Sequence, residues 1–88
     1  MHEQSIMTNL MGKIANLAKD NGAASVKGVS VTLGALSHFT PEHFQEHFDI
    51  AAKGSVCEDA KLTITMDQDL SAPYAQDVLL EAIEVDDN

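Results

Sequence analysis

Apolar residues recur along this chain with two different periods. Ile6, Leu10, Ile14 and Leu17 fall four, four and three apart, with Met7, Met11 and Ala18 beside them. That spacing predicts an amphipathic helix with one apolar stripe. Ser5 is the expected N-cap, and Asn21-Gly22 the expected stop, glycine supplying the left-handed residue that helix ends favour. Gly12 in mid-helix costs about 1 kcal/mol relative to Ala and points to close packing at that position. From Val26 to Leu33 the period drops to two. Val29, Val31 and Leu33 take one side and Gly28, Ser30 and Thr32 the other, the pattern of a half-buried strand.

After a connection from Ala35 to Phe39, a second helix is clearly signalled. Thr40 can cap it, Pro41 suits the first helical position, and Glu42 complements the helix dipole. Phe39 and Phe44 have the spacing of a hydrophobic staple. Phe44, Phe48 and Ala51/Ala52 form the stripe to be buried, and Gly54 ends the helix. Lys61 to Met66 alternates again, with Leu62, Ile64 and Met66 inward. A polar, acidic passage, residues 67–77, follows; its Pro73 opposes regular strand pairing. Leu79 to Val85 is a last strand, and the change of phase between Leu80 and Ile83 predicts a bulge. The order is αβαββ: an α/β (α+β) fold forming one small domain over residues 1–88, with two helices on one face of a three-stranded mixed sheet.

Composition narrows the partners. Five basic against fourteen acidic residues leave a formal charge of −9. No basic footprint exists to meet phosphate, so nucleic acid and anionic membrane are not expected partners. The acidity favours cations or a basic protein surface. No run approaches the roughly 18 apolar residues of a membrane span, and no signal-peptide pattern opens the chain. A cytoplasmic protein is expected. Cys57 is the single cysteine, so neither an internal disulfide nor a thiolate zinc cluster can be built from it.

The candidate chemistry lies at the amino end. A penultimate His2 is expected to leave Met1 in place, so Met1-His2-Glu3 sets an amine, backbone amides and an imidazole side by side. Adjacent amide nitrogens, once deprotonated, close five-membered chelate rings. A tetragonal nitrogen set selects Ni(II) or Cu(II) over Zn or Mg, and binding releases protons. The fourth donor could be the His2 ring, a His elsewhere such as His38, or a partner's His. Against this, Met-His is a common beginning, and chain termini are usually without function.

Other clusters carry less. His43 and His47 share a helix face beside Glu42 and Glu46, but the zincin pattern needs Glu directly after the first His, where Phe44 stands. An exposed, neutral helix surface is expected there. Cys57 lacks any visible base or oxyanion donors, and its neighbours Glu58 and Asp59 oppose its activation as a nucleophile. A partly buried free thiol is expected. No phosphate loop of the GxxxxGK[ST] type occurs. Nothing marks the chain as an enzyme.

Taken together and in order, the motifs resemble the nickel metallochaperones of hydrogenase maturation, the HypA family. They are Met1-His2-Glu3, the helix opening Ser5 to Leu10, Val29 to Ser37, Pro41-Glu42-His43-Phe44 with Phe48, Gly54 to Leu62 with Glu58 and Ala60, and Ile83-Glu84-Val85. The resemblance implies Ni(II) held by the backbone nitrogens at His2 and Glu3 and the His2 side chain, completed by the Met1 amine or a distant His. It implies as partners a nickel-binding maturation GTPase and the hydrogenase large subunit, with urease served by some members. Family members insert a zinc domain with two CxxC pairs between the second and third strands. Here only the passage 67–77 stands in that place, so no zinc is expected. The rival reading is a metal-free interaction module that docks an assembly partner through a sheet edge or the acidic surface.

Overall fold

A computed structural model describes residues 3–85. Five elements follow in order: α1 (Glu3–Asp20), β1 (Val26–Leu33), α2 (Pro41–Ala52), β2 (Lys61–Met66) and β3 (Val78–Val85). The sheet runs β2-β1-β3, with β1 parallel to β2 and antiparallel to β3. The expected αβαββ order and mixed sheet are therefore observed. α1 packs against α2 and β3, and α2 also reaches β2, so both helices cover one face.

Local chemistry sets the boundaries. At the end of α1 the Gly22 N–H donates to Lys19 O (3.0 Å) and the Ala23 N–H to Ala18 O (2.9 Å), with Gly22 at φ 67. This is a Schellman end, and it needs the glycine. α2 starts where the His43 N–H donates to Thr40 Oγ1 (3.2 Å). Phe39 packs edge-on against Phe44 at 5.1 Å between ring centres, which closes the staple.

The bulge falls where the change of phase placed it. β1 residues Ser30 and Val31 pair with Ala82 and Leu80, leaving Glu81 as the extra residue. A second irregularity between Val26 and Gly28 turns Val26 into the core beside Val29.

Four expectations are corrected. α1 already includes Glu3 and Gln4 rather than being capped by Ser5; both are good helix formers. Its buried line is Met7, Leu10, Ile14 and Ala18, while Leu17 is 40% exposed at the rim of the stripe. Gly12 has open space around it, not a close neighbour. Met66 is 43% exposed because it ends an edge strand beyond the cover of the helices.

The core is built on Phe44, Phe48, Ile14, Leu33, Val26, Val29 and Val31, all essentially removed from water. Cys57 joins it at 1% exposure, more deeply than expected. No helix among the described residues is long and apolar enough to cross a membrane.

Candidate functional site

Of the residues expected to bind metal, Met1 and His2 lie outside the described residues, as does the side chain of Glu3. What the fold does show is their attachment. Glu3 is the first residue of α1, so its amide is among the four that a helix leaves without an internal acceptor. The positive end of the helix dipole lies at the same place. A deprotonated amide there is stabilised, whereas an amide in mid-helix would already be committed to a carbonyl.

One turn further on, α1 and α2 enclose a groove. Gln4, Met7, Thr8 and Met11 line it from α1, and His47, Ile50 and Ala51 from α2. Gln4, the residue after Glu3, is the lining residue nearest the start of the chain.

His43 and His47 differ from the neutral surface expected of them. Both are half-buried, and their Nε2 atoms lie 3.0 Å apart. Phe39 holds both rings, with centroids 6.1 Å from His43 and 6.2 Å from His47. The signal was present in the sequence. His43 and His47 each precede a fully buried phenylalanine, so they sit at the rim of the buried stripe, and Phe39 continues their four-residue spacing. His38 stands apart, exposed in the loop after β1 with its backbone in the left-handed region at φ 67.

Cys57 is a packing residue. Its sulfur lies 3.3 Å from Ser55 Oγ and 3.5 Å from the Met11 sulfur. No base or oxyanion donor is set beside it in these contacts, and burial keeps substrate away.

The acidic passage is organised by its own hydrogen bonds. The Asp69 N–H donates to Asp67 Oδ1 (2.9 Å), and both the hydroxyl and N–H of Ser71 donate to Asp69 Oδ1 (2.8 and 3.0 Å). Those Ser71 bonds hold the Asp69 carboxyl below its ordinary 3.8. A hydrogen bond to Asp67, and its charge, raise the Tyr74 phenol above 10.0. The passage then docks on the loop after β1: Gly34 N–H donates to Asp77 O and Leu36 N–H to Ala75 O. Ser37, just beyond, is buried, and its hydroxyl has no hydrogen-bond partner among the described residues.

Residues 1–71 match the profile of a family described as "Hydrogenase/urease nickel incorporation, metallochaperone, hypA". The chain belongs to the HypA family. Similar HypA proteins include the hydrogenase maturation factor HypA of Methanosarcina barkeri, 38% identical over 66 residues, which are 75% of this chain and 50% of that protein. The Archaeoglobus fulgidus HypA is 34% identical over 68 residues, 77% of this chain and 62% of the relative. The chain thus spans about half the length of the curated HypA proteins it matches.

The fold is that of a solved HypA structure. The solution structure of the Ni metallochaperone HypA from Helicobacter pylori superposes with a TM-score of 0.82, covering 97% of each chain at 23% identity. The HypA profile ends at residue 71, inside the acidic passage. β3 lies beyond it, so the likeness in fold extends past the likeness in sequence.

Proposed function

We propose that this chain is a nickel-binding accessory protein, not an enzyme, that carries Ni(II) during maturation of a nickel enzyme, foremost a [NiFe]-hydrogenase. The observation that carries the reading is the family match, whose span includes Met1-His2-Glu3. The start of α1 at Glu3 supports it. Two deprotonated amides bring two negative charges to the positive end of a helix, offsetting the repulsion that a bare divalent cation would meet there.

In this reading Met1, His2 and Glu3 supply the amine, amide and imidazole nitrogens, and His38 is a further candidate donor. The Glu3 carboxylate would help to orient the site. The receiving machinery would be a nickel-binding GTPase and the hydrogenase large subunit, met in the cytoplasm. Structural zinc is not part of the proposal, because Cys57 is the single cysteine and is occupied in the core.

Titration of the chain with an authentic amino terminus should give a tight one-to-one, diamagnetic, square-planar Ni(II) complex at that end. Binding should strengthen as pH rises, since protons leave on chelation. His2→Ala, or an amino-terminal tag, should abolish the tight complex. Equal nickel binding by tagged and untagged protein would refute the site. Partner binding indifferent to nickel and to His2→Ala would favour a docking module in its place.

A further inference from the structure

The geometry of α2 points to a second metal-binding position. We propose that His43 and His47 together chelate a borderline divalent cation, Ni(II) or Cu(II), through their two Nε2 atoms. This pair lies outside the amino-terminal tripeptide and does not depend on that reading being correct.

Three observations carry it. First, the two Nε2 atoms are 3.0 Å apart. With imidazole–metal bonds of roughly 2.0–2.1 Å, that separation corresponds to a bite angle of about 90–97°. Both nitrogens can therefore reach one ion at neighbouring coordination positions, and imidazole donors suit Ni(II) and Cu(II). Second, the rings are held in place rather than free to swing. Phe39 packs against both, and the His43 and His47 rings meet edge to face at 4.6 Å. A chelate whose donors are already fixed loses less rotamer entropy when the ion arrives. Third, His47 lines the groove between α1 and α2, which is open to solvent and gives an ion a way in.

The proton balance is simple. At 3.0 Å one Nε2–H donates to the lone pair of the other Nε2, the ring tautomers setting which is the donor. A bound cation needs both lone pairs. The donated proton is therefore exchanged through water for one on Nδ1 of the same ring, the Nε2–Nε2 hydrogen bond breaks, and both Nε2 lone pairs become available to an ion lying to one side of the pair. Among the described residues no group of three His, Cys, Asp or Glu side chains converges, so the proposal rests on the two imidazoles alone.

The test uses the full chain carrying His2→Ala, titrated with Ni(II) alone and followed by calorimetry and by long-range proton–nitrogen spectra of the histidine rings. The expected result is one bound ion, with the Nε2 resonances of His43 and His47 shifting together and those of His38 unmoved. Adding His47→Gln should remove that binding while circular dichroism stays native; His43→Gln should do the same if the first variant folds poorly. Nickel heat that persists unchanged in both glutamine variants, or no movement of the two Nε2 resonances in the parent, would overturn the proposal. Failure of the amino-terminal site would appear separately, as identical tight binding in wild type and His2→Ala.

Discussion

Gly34 lies against the Ala75 carbonyl so closely that no side chain fits between them. A Cβ at Gly34 would overlap the Ala75 carbonyl and come within 2.6 Å of Tyr74 O. Both obstacles are backbone, so neither can swing aside. The contact exists because the acidic passage must lie flat on the end of β1 before β3 can return beside it, with the Gly34 N–H donating to Asp77 O at 2.9 Å.

Gly34→Ala should therefore cost about 1–3 kcal/mol, the range for overpacking a tight site. For a domain of this size each kcal/mol lowers Tm by roughly 4–8 °C. Thermal melts of the two proteins check this. An unchanged Tm would mean that the passage does not rest on Gly34.

Thr40 provides a second, independent lever, because its hydroxyl accepts from the first turn of α2. Thr40→Ala should lose about 1 kcal/mol, while Thr40→Ser keeps the acceptor and most of the stability. Denaturant unfolding of the three proteins separates these cases. Equal midpoints for Ala and Ser would show that the cap contributes nothing.

The third lever is Tyr74. Its hydrogen bond to Asp67, with the carboxylate's charge, favours the neutral phenol and raises its titration above 10.0. The unfolded chain ionises first, so the contribution is present below pH 10.0 and disappears as pH rises through the higher folded-state value. Tyr74 is the only tyrosine, so phenolate absorbance reports it alone. Asp67→Asn should bring the inflection back down towards the ordinary value. An inflection that Asp67→Asn does not move would place the cause elsewhere.

What was legible in the sequence was whatever depends on residues close together along the chain. The cap and proline at Thr40-Pro41, the Phe39–Phe44 staple, the glycine end at Gly22 and the alternation of Val29, Val31 and Leu33 all arise from spacings of five or fewer. The phase change that placed the bulge at Glu81 is equally local. The amino-terminal chemistry could be read because a chelate of successive backbone nitrogens is local by its nature.

Only the tertiary structure decided which part of a broad apolar arc becomes core. At 100° per residue, Ile6, Met7, Leu10, Met11, Ile14, Leu17 and Ala18 spread over about 140° of α1. Packing on α2 and β3 selected the centre of that arc, burying Met7, Leu10, Ile14 and Ala18 and leaving Leu17 at the rim. The same holds for His43 and His47, whose four-residue spacing is plain in the sequence but whose 3.0 Å approach depends on Phe39 and the packing around α2. Gly34 and Ala75 are forty-one positions apart, and no local rule brings them together. Periodicity states which faces of an element are apolar; only the docking of one element on another, with its excluded volume, settles which of those atoms meet.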